Sequence, residues 1–490
     1  MKKTSRLFLL IALICTLVFC AAMSASALEA KGKCGDNVSY TYDKKTGELI
    51  ISGKGDMYDY DGNEYSPFYK SDIESVTVKK GVTRVGSYAF EGCDELEKAT
   101  ITDTVKIIGG SAFYGCEDLE TIKLPKKLEK IGAYAFKDCS ELKSVTFPDT
   151  LKSIGGAAFY GCSDIKSIII PDSVTAVGSS AFCSCLKLET VEIGKSVKHL
   201  GLDIFVSCDN IESITVDKDN KSYVSVDGAL LDMAKTKVIR YSSKSTRTEY
   251  NMPDSVAEIG EDAFSGSIYL EKITLSDNLE KISIGAFGDC SSLKSIAIPE
   301  KVTRILCYDF LDCSSLEEIT VDKNNTTYSA VNGVLFNKNR TKLLKYPEAK
   351  STKSYAVPET VTHIYDYAFY NAKLEKLILD ENVESIGDCA FESCDSLRNI
   401  VIPGSMKEIG GYAFIGCANL SSVRFNGTRD QWNQISFGDR NEDLFEANIE
   451  FVDDCNCHKT GFMGVIYKVQ VFFWKLFKSN PVCVCGIAHY

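Results

Sequence analysis

Twenty cysteines and four histidines are the side chains of this 490-residue chain best suited to nucleophilic, redox or metal chemistry. They are unevenly placed. Cys455, Cys457, His458, Cys483, Cys485 and His489 fall together in the closing stretch of the chain. Thiolate and imidazole are ligands that tetrahedral zinc accepts, which makes these six a candidate zinc site. Structural zinc pairs are usually spaced C-x2-4-C, whereas both pairs here are the tighter C-x-C. In an exported chain the same four cysteines can instead close two disulfides that staple a helical hairpin. Both readings stand, with free or lipid-modified thiols as a third, and no other cofactor is called for. Catalysis finds less support. His199 and His363 are isolated in sequence and have no fixed nucleophile partner of the Ser-His or Cys-His kind. Carboxylates such as Glu117, Glu129 and Asp149 read as solvated surface charge, and neither a P-loop nor G-x-G-x-x-G is present. The chain is therefore not expected to be an enzyme.

Ten further cysteines share one offset, three residues after a phenylalanine: Cys93, Cys116, Cys139, Cys162, Cys185, Cys208, Cys290, Cys313, Cys394 and Cys417. Such a column of thiols is open to metal or redox chemistry, but free cysteine also packs as a small hydrophobe. Adjacent repeats at strand spacing, about 4.8 Å, would bring the Cα atoms within disulfide range. Parallel side chains, however, leave the sulfurs near that same separation, too far for a bond of about 2.0 Å. Buried free thiols are the expectation.

The phenylalanines set the frame. Phe90, Phe113, Phe136, Phe159, Phe182 and Phe205 are 23 residues apart, as are Phe264, Phe287 and Phe310; Phe369, Phe391 and Phe414 continue with one step of 22. So regular a beat means a solenoid of one short unit stacked many times. Within one unit, Leu119, Ile122 and Leu124 alternate with polar residues, so Thr121 to Leu124 reads as a short half-buried strand that Pro125 ends. Leu128 and Ile131 turn inward on the return path, and Gly132 permits the bend before the next Ala-Phe. Large Phe113 beside small Ala112 predicts a stacked aromatic column along a thin wall.

The spacing L-x-x-I-x-L resembles the leucine-rich repeat signature, and the whole consensus IGxxAFxxCxxLxxIxLPxxV resembles the 23-residue repeat of BspA-like leucine-rich repeat proteins. The resemblance runs from about Cys34 to Phe451. It departs from the general repeat where an inward Asn is common: Lys127, Thr150, Ser173, Ser196, Asn278, Asn382 and Ser405 stand there, so no continuous Asn ladder is expected. The resemblance implies a mainly β repeat solenoid, a right-handed leucine-rich repeat array of short parallel strands. It also implies adhesion to matrix proteins or other microbes.

Two segments break the beat. ITVDKDNKSYVSVDGALLDMAKTKVIRY from Ile214 and ITVDKNNTTYSAVNGVLFNKNRTKLLKY from Ile319 match at an offset of 105 residues. Each reads as strand, polar turn (Asp232 to Lys235; Asn337 to Arg340), strand, and hence as a hairpin insert over about 214–250 and 319–355. Asp217 to Asn220 and Asp322 to Asn325 lack the Gly and Glu of a calcium loop, and turn chemistry is expected of them.

These signals divide the chain. Residues 1–27, basic, then apolar, then Ala25-Ser26-Ala27, read as a secretory signal peptide. Residues 28–80 form an N-terminal cap, 81–423 the solenoid, 424–452 a C-terminal cap marked by Gln431-Trp432, and 453–490 a small C-terminal helical tail rich in Cys and His. In the tail, Phe462, Val465, Ile466, Val469, Phe472, Phe473, Leu476 and Phe477 recur at helical spacing among Lys468, Lys475 and Lys478. Residues 461–478 thus read either as a basic amphipathic helix contacting a membrane or envelope, or as a helix packed on the last repeats. A net charge of -12 argues against nucleic acid as a partner. The expected protein is secreted or at the cell surface and binds an extracellular protein or polysaccharide. A structural envelope component held by its tail is the rival reading, and a metal or redox role for the tail the weaker third.

Overall fold

The computed structural model describes residues 28–61 and 64–452, which form two compact units, one ending at Met233 and the other beginning at Ala234. Residues 1–27, expected to be a signal peptide, and the tail, 453–490, lie outside the described residues.

In the first unit, strands Lys31–Gly35, Val38–Asp43 and Glu48–Gly53 form an antiparallel meander. The last of these then pairs in parallel with Ser75–Val78, so the cap hands its open edge to the first coil. From there each strand pairs with its copy one repeat later: Thr77 opposite Thr100, and Thr100 opposite Lys123. A second file of two-residue strands, among them Ile107–Ile108, Lys130–Ile131, Ser153–Ile154 and Ala176–Val177, runs along the return path in the same register. Parallel pairing in register is the only arrangement that superposes like residues of successive coils, and it buries Leu119, Leu128 and Ile131 as the repeat pattern requires.

The aromatic column is present and starts one coil earlier than the Ala-Phe motif. Phe68, Phe90, Phe113, Phe136, Phe159, Phe182 and Phe205 stack at centroid spacings of 5.4, 5.0, 5.2, 5.1, 5.6 and 6.0 Å. Tyr40 closes it edge-on at 4.8 Å. These spacings suit offset stacking of rings held one strand apart. Around each ring from Phe90 to Phe205 the backbone turns twice through the left-handed region, for example at Ser111 (φ 51) and Gly115 (φ 70) about Phe113. Even Tyr88, Tyr134, Tyr367 and Tyr412 adopt it. Inter-coil bonds over-determine that conformation: Ser111, Phe113 and Gly115 each donate an N–H to the next coil at 2.8, 2.8 and 2.9 Å. At Gly132 the approach is closer still, since a Cβ would stand 2.5 Å from the Gly110 nitrogen.

The second unit repeats the plan, with strands such as Glu249–Asn251, Lys272–Thr274, Ser295–Ile298 and Glu318–Val321 paired in parallel. Its column opens twice on a tyrosine, Tyr241 on Phe264 at 5.3 Å and Tyr346 on Phe369 at 5.2 Å. It closes on a cap in which Thr428 and Gln431 form a reciprocal capping box and Trp432 packs edge-on against Phe425 at 5.1 Å.

The duplicated inserts differ from expectation in one respect. Each begins with a tight antiparallel hairpin whose turn is Asp227-Gly228 in the first unit and Asn332-Gly333 in the second. All four turn residues have positive φ, at 50, 89, 51 and 79°. That is the two-residue turn which Asp-Gly and Asn-Gly favour. The expected turn at Asn337 to Arg340 is present as a second one, and it leads into Lys342–Lys345, so the insert in the second unit is a three-stranded meander.

Candidate functional site

The thiol column is the first site the sequence singled out. All ten cysteines are buried thiols outside any disulfide. They do more than fill space. Each Sγ donates to the carbonyl oxygen of the column aromatic one coil back: Cys93 to Phe68 at 3.0 Å, Cys116 to Phe90, Cys139 to Phe113 and Cys162 to Phe136 each at 3.1 Å, and so on to Cys417 and Phe391 at 3.2 Å. The left-handed turn aims that carbonyl inward, and the thiol satisfies it, as a buried acceptor requires. Burial pushes the Cys93 thiol up to about 12 and drives Cys116, Cys139 and Cys313 well above the ordinary thiol range. A thiol held protonated is neither nucleophile nor metal ligand. No group of three or more His, Cys, Asp or Glu side chains able to hold a metal occurs among the described residues. Cys455, Cys457, His458, Cys483, Cys485 and His489 lie outside them.

His199 and His363 are both exposed, on equivalent two-residue strands of the return file in different units. Turn chemistry holds for the Asp-rich clusters: the Asp217 and Asp322 carboxylates accept the Asp219 and Asn324 N–H groups, each at 2.8 Å. The last residue of each cluster has a role that sequence reasoning missed. Asn220 and Asn325 are buried, and each makes four hydrogen bonds. Asn325 Nδ2 donates to the Pro299 and Val302 carbonyls at 2.8 and 2.9 Å, while its Oδ1 accepts from Thr327 and Tyr328 N–H at 2.9 and 2.8 Å. Each Asn thereby ties the root of its insert to the coil before it. The available signal was that Asn220 and Asn325 are identical in the duplicated motif.

The surface feature best suited to a ligand is a groove of about 550 Å³ in the first unit. Its floor is three paired strands, Ser167–Ile170, Thr190–Ile193 and Ser213–Val216. Ile168, Val191 and Ile214 point inward, which leaves Ile169, Glu192 and Thr215 as an outward file in register. Ile169 is 57% exposed, and among the described residues it is the one large apolar side chain exposed from within a strand. One wall is the coil Ser144 to Asp149, where the ladder is interrupted: Ser144 bridges Thr121, but residues 145–148 form no strand. Phe147 stands where the adjacent coils carry Leu124 and Ile170, and its ring packs edge-on against Phe159 at 5.5 Å. The extra ring volume is what distinguishes this coil from its neighbours. Asp149, Asp172, Glu192 and Asp217 give the lining a negative cast, and none of the lining residues is cationic. At the edge Lys195 pairs with Asp172 at 2.8 Å, and this contact holds the Asp172 carboxyl below the usual range. Hydroxyls of Ser144, Thr146, Ser167 and Thr215 complete a surface of hydrogen-bonding groups around one apolar anchor.

Comparison with known proteins agrees with this architecture. The model of the BspA type leucine rich repeat region matches residues 64–156, 129–226, 240–348 and 345–444. No curated protein is detectably similar in sequence. Among solved structures, a leucine rich cell surface protein from Faecalibacterium prausnitzii is 25% identical, with 82% of this chain and 96% of that one covered at a TM-score of 0.52. A leucine-rich repeat protein from Eubacterium ventriosum is also 25% identical, over 83% and 92%, at 0.48. The pneumococcal vaccine antigen PcpA is 21% identical, over 87% and 98%, at 0.46.

Proposed function

The chain belongs to the family of BspA-type leucine-rich repeat proteins, and from that premise we propose that it is an exported binding scaffold, held at the cell surface, that adheres to an extracellular protein or polysaccharide. The observation that carries this reading is the groove over Ile169, Glu192 and Thr215. There the exposed Ile169 offers apolar area for a ligand to bury, with carboxylates and hydroxyls around it to hydrogen-bond the same ligand. Parallel in-register strands repeat every side chain at strand spacing, which matches a ligand that is itself extended and periodic. A strand of partner protein or a sugar chain fits that description better than a small molecule does. The F. prausnitzii relative, a cell surface protein, supports the location. The tail, with its alternating aromatics and lysines over 461–478, is the proposed envelope contact.

The test is binding of the mature chain to arrays of matrix proteins, polysaccharides and bacterial surfaces, in parallel with Ile169→Asp and Glu192→Lys variants. Both positions are exposed, so the variants should fold normally. Binding by the parent and a loss of tenfold or more in either variant is the expected result, since an apolar anchor or a charge contact removed from an interface typically costs over 1 kcal/mol. Unchanged binding in both would dismiss the groove. No binding anywhere would favour the spacer reading.

A further inference from the structure

The coil at the end of the second insert departs from the repeat in a way the fold does not demand. Lys345-Tyr346 stands where other coils carry Ala-Phe, so a lysine occupies the thin wall beside the aromatic column. Its side chain is 2% exposed, and Nζ lies 3.4 Å from Oε1 of Glu348, whose side chain is fully buried. The other carboxyl oxygen of Glu348, Oε2, accepts a hydrogen bond from Nδ2 of Asn371, one coil on, at 3.1 Å. Oδ1 of Asn371 accepts from Lys373 Nζ at 2.7 Å. One buried carboxyl group thus bridges an amine and a carboxamide, while a second cation polarises the carboxamide oxygen. Tyr370 covers the cluster: its ring lies 5.6 Å from Lys345 Nζ and its hydroxyl donates to Asp312 at 3.1 Å.

The sister insert shows that the fold can do without this chemistry. Arg240, Ser243 and Gly266 stand at the places of Lys345, Glu348 and Asn371, each 105 residues earlier. The buried Arg240 guanidinium donates to the Asp262 carbonyl, to Ser243 Oγ at 2.9 Å and to the Ser265 carbonyl at 3.4 Å. Ser243 and Gly266 bring neither a carboxylate nor a carboxamide to those places, and a guanidinium is no nucleophile. A buried lysine and glutamate have no obvious structural advantage over that arrangement, because removing two charges from water generally costs more than their attraction returns.

We propose that Lys345 and Asn371 become joined by an intramolecular isopeptide bond, with Glu348 carrying the proton. Burial raises the Glu348 carboxyl, which suits it to accept a proton from Lys345 Nζ 3.4 Å away and so free the amine lone pair. Nζ then attacks Cγ of Asn371. The charge that gathers on Oδ1 faces the Lys373 ammonium, which serves as an oxyanion contact. Glu348 delivers its proton to Nδ2, with which it is already hydrogen-bonded, and takes the second proton from Nζ as the Cγ–Nδ2 bond breaks and ammonia leaves. One bond forms, Nζ–Cγ; one breaks, Cγ–Nδ2; ammonia departs, and no oxidant or cofactor takes part. The link would pin the end of the insert to the following coil, where two antiparallel strands meet the parallel stack.

The test is intact-mass measurement and peptide mapping by tandem mass spectrometry on the full-length folded protein. The expected finding is a mass one ammonia below that of the sequence, together with a branched peptide that joins the Lys345 and Asn371 segments. Glu348→Gln should restore the full mass and give two linear peptides. That variant disturbs a buried charge, so Asn371→Gly serves as the second: Gly266 already holds the equivalent left-handed position, and the fold should be kept while the link is lost. Linear peptides with intact Lys345 and Asn371 from folded parent protein would overturn the proposal. Ammonia loss confined to Asn371, without a branch, would overturn it equally, and a link that persisted in Glu348→Gln would remove Glu348 from the reaction.

Discussion

At the scale of single residues, the cysteines show how one side chain serves two needs of a turn. The left-handed bend around each phenylalanine points a carbonyl into the core, and a thiol is small enough to fit there and polar enough to bond it. This has a consequence for pH. The folded-state pKa of Cys93 is raised to about 12, against about 8.5 for an unfolded thiol. The stabilising contribution is therefore complete below about pH 8.5 and is lost as pH climbs towards the folded value, because only the unfolded chain releases the proton in that window. Cys93 alone should withdraw about 2 kcal/mol between pH 8.5 and 10, and Cys116, Cys139 and Cys313, raised by burial in the same direction, add to the loss. Urea midpoints measured at neutral pH and near pH 10 should thus fall steeply, and the fall should shrink in a Cys139→Ser variant. A midpoint indifferent to pH would contradict the thiol assignment. Thiol-reactive reagents should label the column only after unfolding.

At the scale of elements, the inserts depend on two short signals of unequal legibility. Asn332-Gly333 announces its hairpin in sequence, because left-handed φ at both positions is what that pair tolerates. The expectation placed the turn at Asn337 to Arg340 and so found only the second of two. The buried Asn325 was harder to read: in sequence it is one polar residue in a polar cluster, and only the neighbouring coil supplies the Pro299 and Val302 carbonyls that it bonds. Asn325→Ala should cost roughly 3 kcal/mol, since it leaves buried donors and acceptors on both coils without partners. In a stacked array that loss is local. Hydrogen exchange should therefore quicken at Thr327 and Tyr328 and at the hairpin beyond, while the first unit keeps its protection; uniform acceleration would mean that the Asn acts on global stability instead.

At the scale of the whole molecule, stability comes from columns and caps rather than from surface charge. Exposed inter-coil pairs such as Lys106–Glu129 at 2.8 Å, Lys143–Glu120 at 2.7 Å and Lys407–Glu384 at 2.9 Å recur along both units. Such pairs contribute little individually and are screened by salt. The caps matter more, because an uncovered coil would present an apolar end. Trp432→Ala should remove about 3 kcal/mol, read as a lower denaturation midpoint, through the cavity left against Phe425. Raising salt to about 0.5 M should move the same midpoint little, and the opposite ranking would make the ion pairs the main support. The sequence by itself determined the period, the aromatic and thiol columns and the presence of caps, because in a solenoid every coil answers to the same short-range pattern and fixed spacing translates directly into stacking. Tertiary structure decided the rest. Only the stack shows that Phe147 sits beside an interrupted ladder and a groove, that each column thiol bonds a carbonyl of the previous coil, and that Lys345 and Asn371 meet at the carboxyl of Glu348. Each of these depends on which residue of one coil lies over which residue of the next, and that register is a property of packed backbone, not of any single repeat.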